Sequence, residues 1–389
     1  MRGSPPKEKN QVTLENWRTP PFNRWAFHHV RELIPTACIS RGADSVWSLD
    51  YQTRDLMDLI FTDHENKSIK VGQFLRSSQT DGFMVLHQGR IVTECYFNDL
   101  EQNQPHILMS ISKSLTATLA GILVSRGLLD PARSVGTLIP EVTDSAFAEC
   151  TLQHILDMTV GVDFDEDYLA NEGLITAYRE VSGWKPPTSQ TIGGNLRSWL
   201  VELKKSGHHG AQFHYVSPCT DLLGWVIERA SGRTFHELFS ELIWQPMGAE
   251  FDAYVTVDKL GAPRTAGGLC VTLRDLARFG QMWLNNGQAN GKEIVPRQWI
   301  HDTTTHFDRC AWKAGDSLEF LPDGGYRNKW WITGNDMEAY TGIGVYGQWL
   351  YIAPRAQTVI AVLASQPLPV DDNLSSDSMS CFEAITKAL

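Results

Sequence analysis

The chain has 389 residues, 42% of them hydrophobic, and a formal net charge of −11. That length and apolar content support a packed core, arranged as two domains or one large one. The acidic balance is spread along the chain, which argues against nucleic acid as the main partner and gives no reason to expect anchoring on an anionic membrane.

Residues 1–10 contain no apolar core, so no signal peptide is expected and the stretch is read as disordered. No apolar run approaches the length of a membrane span. The seven cysteines are odd in number and widely spaced, with no C-x-x-C pair. The plain reading is reduced thiols in a cytoplasmic protein, without a disulfide framework or zinc site. No H-E-x-x-H occurs either, and no metal or cofactor is expected.

Trp17 to Arg41 reads as a wrapping segment, with a short helix near Phe27 to Leu33. Phe83 to Phe97 reads as two strands joined at Gln88-Gly89, the first of an antiparallel sheet. Ser110-Ile111-Ser112-Lys113 then puts a serine and a lysine three residues apart, so both lie on one face of a helix. Leu115, Leu119, Ile122 and Leu123 continue at helical spacing up to a stop at Gly127, and the helix is nearly apolar all round, as one buried between layers would be. A serine hydroxyl is a poor nucleophile until a neighbouring base takes its proton, and a lysine beside it can be or tune that base. The backbone N–H groups at the helix start favour developing negative charge. The alternative is a helix-capping serine with a surface lysine. A second S-x-x-K, Ser182 to Lys185, runs into Pro186-Pro187 and is read as loop.

Residues 131–260 read as mainly helical and loop-rich. Thr151 to Met158 is a short helix. The acids from Asp163 to Asp167 hint at a calcium loop, but its sixth position is Tyr168 and its twelfth Leu174, so a solvated acidic loop is expected. Ser217 and Pro218 suit the cap and first position of a helix that runs to Gly232, with Tyr215 projecting just before it. Strand-like sequence returns at Gly267 to Thr272, followed by a helix to Leu284. Lys329 to Ile332 is strand-like, Gly342 to Ile352 and Thr358 to Leu363 form a strand pair, and a helix near Met379 to Leu389 closes the chain. The expected fold is α/β of the α+β type: an antiparallel sheet domain flanked by helices (11–108 and 262–389), with a mainly helical domain inserted between (109–261).

Ser110-Ile111-Ser112-Lys113, Tyr215-Val216-Ser217 and Gly342-Ile343-Gly344 match, in order, the S-x-x-K, Y-x-N and K-T-G motifs of penicillin-recognising serine hydrolases. From Trp25 to the last helix the chain resembles the β-lactamase/transpeptidase-like branch that holds class C β-lactamases, family VIII carboxylesterases and nylon-oligomer (6-aminohexanoate-dimer) hydrolases. It is most similar to the last, on Pro21 to Phe27, Asp165 to Tyr168, Lys329 to Trp331 with Thr333 to Asn335, and Gly342 to Gly344 with Gly347-Gln348. The resemblance implies Ser110 as nucleophile, Lys113 and Tyr215 sharing acid and base work, and an oxyanion hole from the N–H groups of Ser110 and Val345. A tyrosine acts as a base near neutral pH only if nearby cations stabilise its phenolate, and Lys113 is the candidate. Tyr168, Trp331, Ser217 and Ile343 match substrate-cleft positions.

The departures bear on the substrate. Gly342-Ile343-Gly344 lacks the Lys and Thr that would hold a β-lactam carboxylate. The family's amine-pairing acid is Arg179 here, and its Asn or His before Gly-Gly is Ala266. Arg179 would favour an anionic or neutral acyl group. The expected function is a serine hydrolase that cleaves small esters or linear amides through an acyl-enzyme. Its partner is a small molecule, with a homodimer allowed for. The alternatives are an acyltransferase using the same serine and a non-catalytic binding protein of the same fold. No G-x-S-x-G occurs, which disfavours an α/β-hydrolase.

Overall fold

A computed structural model describes residue 1 and residues 3–389. The expected hairpin forms from β1 (Thr80–His87) and β2 (Arg90–Tyr96). His87 faces Arg90, leaving a two-residue loop in which Gln88 and Gly89 have φ of 51° and 76°. A two-residue loop that matches strand twist needs positive φ at both positions, and glycine supplies one at no steric cost.

Three long helices follow: α1 (Ile111–Ser125), α2 (Pro218–Ser231) and α3 (Leu273–Leu284). Then come β3 (Gly325–Arg327), β4 (Trp330–Ile332), β5 (Tyr340–Gly344), β6 (Gln348–Ala353), β7 (Thr358–Ala364) and the final helix α4 (Asp372–Ala388). The main sheet is antiparallel with strand order β3-β4-β5-β6-β7-β1-β2. Its two halves, distant in sequence, join where β7 pairs with β1 from Thr358↔His87 to Ala364↔Thr80. A second, four-stranded sheet combines Thr36–Ile39, Ala253–Thr256, Leu269–Val271 and His106–Ile107.

Helix α1 packs against both α2 and β5. Ile111 through Leu123 are all buried, as a helix apolar on every side requires. The glycines set the distance of closest approach. A Cβ on Gly121 would lie 2.4 Å from the Trp299 indole, and one on Gly280 of α3 would lie 2.6 Å from Val359 on β7.

Four elements differ from the sequence reading. Gly342 to Ile352 is two strands, β5 and β6, because Tyr346 and Gly347 take φ of 64° and 86° and turn the chain. Helix α4 starts at Asp372 rather than near Met379. Its first turns are polar and carry no apolar stripe, but the Asp371 side chain caps them by accepting from Leu374 N at 3.0 Å. Near Phe27 the helical residues are Asn23–Ala26 and a 3-10 turn at Val30–Glu32, with Phe27 itself at the C-cap. At the N-terminus Glu8–Asn10 forms a 3-10 turn.

The N-terminal segment does wrap the body. Trp17 Nε1 donates to the Trp184 carbonyl at 2.9 Å, and the Phe27 ring meets Tyr346 edge-on at 5.2 Å.

Gly121→Ala is expected to destabilise the fold by about 1–3 kcal/mol, because a flat buried indole cannot yield to the methyl. The helix-propensity gain of about 1 kcal/mol offsets only part of that. A urea titration should show a lower midpoint at an unchanged slope.

Candidate active site

Ser110 sits at the N-cap of α1, immediately after Met109, whose φ of 46° is unusual for a side-chain-bearing residue. The Ser110 hydroxyl caps no backbone N–H. It accepts instead from Lys113 Nζ at 2.6 Å. Lys113 is 1% exposed and makes its second bond to the Ala266 carbonyl at 2.9 Å. Both halves of the bland alternative, a capping serine and a surface lysine, are therefore absent. Burial pulls the Lys113 amine down to about 7; Glu166 opposes the fall, and Arg264 and Lys329 add to it.

Tyr215 completes the group. The Lys113 ammonium lies 5.0 Å from its ring centroid, and Trp331 stacks on its other surroundings at 5.2 Å. Asp316 accepts from the Tyr215 backbone N–H at 3.2 Å and from His214 Nδ1 at 2.8 Å, which pins the loop before α2. Burial raises the phenol above its ordinary range, Glu166 raises it further, and its hydrogen bond with Ser110 opposes them. Lys113 is not among the groups that lower it, so the surroundings favour the protonated phenol.

The acidic loop is only partly solvated. Asp165 and Asp167 are exposed, but Glu166 turns inward. It accepts from the Ser217 hydroxyl, from Ser217 N at 2.5 Å and from Tyr168 Oη at 2.9 Å. Ser217 is the N-cap residue of α2, as the sequence suggests, yet its hydroxyl makes no cap bond because Glu166 takes it. One carboxylate thus ties Tyr168, Ser217 and, through its charge, Lys113.

Asp221 plays the matching role on the opposite side. It accepts from Ala266 N at 2.8 Å and pairs with Arg264, which fixes the carbonyl that Lys113 uses. Arg179 lines the site, but its guanidinium donates to the carbonyls of Ala170 at 2.9 Å and Tyr168 at 2.8 Å. It holds the Tyr168 loop as well as facing the site.

The third motif keeps its one glycine, Gly344, for a steric reason, and Gly342 stands at its lysine position. A Cβ on Gly344 would stand 2.6 Å from the Leu108 carbonyl, and one on Gly342 would stand 3.2 Å from Ile111. Strand β5 can therefore lie against the start of α1. Val345 follows at the turn, and neither its N–H nor that of Ser110 is spent on an internal backbone bond among the described residues.

Two spaces meet at Ser110. A cleft of about 370 Å³ is lined by Tyr168, Tyr215, Trp331, Ile343 and Val345. A smaller recess of about 40 Å³ is lined by Arg179, Ser217, Ala266 and again Tyr168 and Val345. All the residues singled out from the sequence are thereby brought to one place. The sequence reading missed Glu166 as a ligand of Ser217, the buried Lys329 and Asp221. Lys329 is 1% exposed, donates to the Ile155 carbonyl at 2.5 Å and is pulled down to about 8 by burial. Its carbonyl accepts from Ser114 at 2.7 Å, tying α1 to the start of β4. Only Glu166 had a signal, its place beside Tyr168. Among the described residues no three His, Cys, Asp or Glu side chains converge as a metal site needs, and no helix is long and apolar enough to cross a membrane.

Comparison with known proteins agrees with this geometry. Residues 71–378 match the family model described as Beta-lactamase. A 6-aminohexanoate-dimer hydrolase from Paenarthrobacter ureafaciens is 34% identical over 92% of this chain and 89% of its own. A Bacillus anthracis structure provisionally assigned as a 6-aminohexanoate-dimer hydrolase superposes with a TM-score of 0.89 at 29% identity, covering 98% of each chain. EstCE1, described as a hydrolase with promiscuous acyltransferase activity, shares the fold with a TM-score of 0.60 at 17% identity, over 81% of this chain and 98% of its own. This chain belongs to the beta-lactamase family and is a serine hydrolase of its amidase and esterase kind.

Proposed function

We propose that Ser110 is the nucleophile, Lys113 the base and Tyr215 the proton donor in the cleavage of small esters or linear amides. The observation that carries this is the 2.6 Å hydrogen bond from a fully buried lysine to a serine hydroxyl that caps nothing. With its amine near 7, Lys113 is substantially neutral at physiological pH and can accept the Ser110 proton. Ser110 Oγ then bonds to the carbonyl carbon, and the carbonyl oxygen takes up negative charge. The unspent N–H groups of Ser110 and Val345 are the donors for it. Collapse breaks the bond to the leaving oxygen or nitrogen, which takes a proton from the Tyr215 phenol. Lys113, 5.0 Å from that ring, restores it. Water repeats the sequence on the acyl-enzyme, with Lys113 again accepting the proton.

Tyr168, Trp331, Ser217 and Ile343 form the substrate walls in this reading, with Ala266 and Arg179 closing the far end. The substrate would lie at the seam between the helical insertion, residues 109–261, and the sheet region. Linear amides are favoured as one substrate group by the 34% identical relative, a 6-aminohexanoate-dimer hydrolase. All seven cysteines are free, which supports a reducing, cytoplasmic setting.

Ser110→Ala should lower kcat/KM on 4-nitrophenyl acetate and butyrate by at least about 10³-fold. Equal turnover by the two proteins would refute the assignment. Release of 6-aminohexanoate from its linear dimer tests the amide branch separately; ester turnover with no amine release would confine the enzyme to esters.

The pH dependence has a definite sign. The folded-state amine of Lys113 is lowered, so the reactive neutral form accumulates as pH rises through about 7. Below that, kcat/KM should fall about tenfold per pH unit. Glu166→Gln removes the negative charge that raises Lys113, so the acid limb should move to lower pH. A pH–rate profile of both proteins checks this, and an unmoved limb would rule out electrostatic coupling between the two residues.

A further inference from the structure

The small recess beside Ser110 has an unusual charge inventory. Three guanidinium groups line it, from Arg18, Arg179 and Arg264. Arg264 is accounted for by its ion pair with Asp221. Arg179 has only backbone carbonyls as partners. Glu166, the one carboxylate in the lining, is occupied by Ser217 and Tyr168.

Arg18 has no hydrogen-bond or ion-pair partner at all among the described residues, and its Nε is buried without one. Glu15, the acid that acts on it, is 63% exposed and lies 4.0 Å from Lys185. Arg18 is part-buried with its guanidinium 5.7 Å from the Trp17 ring, and an Nε buried without a hydrogen-bond partner is costly and rarely left so in natural proteins. Burial pulls its pKa down to about 10, with Arg179 and Arg264 adding to the fall. The hydroxyl of Tyr346, which lines the same recess, also has no hydrogen-bond partner among the described residues.

The segment that delivers Arg18 is firmly held. Its neighbour Trp17 is fully buried and bonded to Trp184, which forms the recess wall. The unpaired cation is therefore presented by a fixed element.

We propose that this recess is a carboxylate-binding subsite anchored by Arg18, and that the substrates of this enzyme carry a terminal carboxylate on the side that enters it. A guanidinium fork matches a carboxylate with two parallel hydrogen bonds. The recess, about 40 Å³, has room for roughly three waters by that measure, the size of a carboxylate. The wide cleft cannot serve the same end, because Asp165, Asp316, Asp371 and Asp372 line it and repel an anion. Charge complementarity therefore sends the carboxylate to the recess and leaves the cleft to a neutral or cationic half. The kinetic consequence rests on the acyl-transfer reading of Ser110; the binding consequence does not.

The test uses three esters of equal chain length: 4-nitrophenyl hexanoate, 4-nitrophenyl 6-aminohexanoate and the mono-4-nitrophenyl ester of adipate. The full-length protein should give the highest kcat/KM on the adipate ester, at least tenfold above the aminohexanoate ester. In Arg18→Gln the adipate-to-hexanoate ratio should fall at least tenfold, and Arg18→Lys should recover part of it. A second measurement needs no turnover: calorimetric binding of free adipate to the Ser110→Ala protein, which should weaken at least tenfold when Arg18→Gln is added. Thermal unfolding of each variant shows whether it is folded. Hexanoate ester turnover equal to or above that of the adipate ester, or adipate binding unchanged by Arg18→Gln, would overturn the subsite. Inorganic phosphate displacing adipate with equal affinity would overturn the choice of carboxylate. Ester turnover that survives Ser110→Ala, with adipate binding intact, would instead sink the catalytic reading and leave the subsite standing.

Discussion

The site depends on the burial of one lysine. Lys113 belongs to a helix that is buried on every side, and an ammonium there loses most of its hydration. The fold could answer this cost with a full counter-charge or by letting the amine shed its proton. It does the second. Glu166 opposes the desolvation but does not cancel it, while Arg264 and Lys329 press in the same direction as burial. The product is an amine that gives up its proton more readily than a solvated lysine, hydrogen-bonded to the Ser110 hydroxyl. Tyr215 shares the burial, and desolvation and then Glu166 favour its protonated, neutral form. One low-dielectric pocket therefore favours the neutral form of both groups, the base and the acid of the proposed mechanism.

Sterics then decide what can approach that pair. Strand β5 reaches the start of α1 because Gly344 presents no side chain to the Leu108 carbonyl, with Gly342 easing the contact with Ile111. Gly344, the one glycine of the K-T-G pattern, is required sterically, whereas the lysine and threonine positions hold Gly342 and Ile343 here.

Much of this was legible in the sequence because it is local. The Ser110 and Lys113 pair is set by helical spacing, the β1–β2 hairpin by alternation around Gln88-Gly89, and α3 by a run of apolar residues after a Thr272 cap that accepts from Asp275 N. Tyr215 and Val345 required the family resemblance, since nothing near them in the chain reports their role. The misreadings have separate causes. The turn at Tyr346-Gly347 is hidden in residues that favour strands, and its positive φ values are enforced by the close pairing of β5 with β6. The start of α4 is polar, so no periodicity marks it. Glu166 looked like one of several solvated acids; only the fold shows it accepting from Ser217, 51 residues away.

The same distinction of range separates chemistry from specificity. The proton transfer proposed for Ser110, Lys113 and Tyr215 uses groups whose placement is set by one helical turn and the loop that packs on it. The recess is assembled from Arg18 near one end of the chain, Arg179 in the middle and Tyr346 near the other end. A change in the N-terminal segment alters the charge lining the recess without touching α1, and Arg18 projects from that segment with no hydrogen bond or ion pair to break, only the Trp17 ring beneath it. Substituting Arg18 therefore carries little of the structural penalty that Asp221 would, whose loss strands Arg264 and releases Ala266. Substrate preference in this architecture can shift through peripheral residues of that kind while the buried lysine, and the acyl transfer it makes feasible, stays as it is.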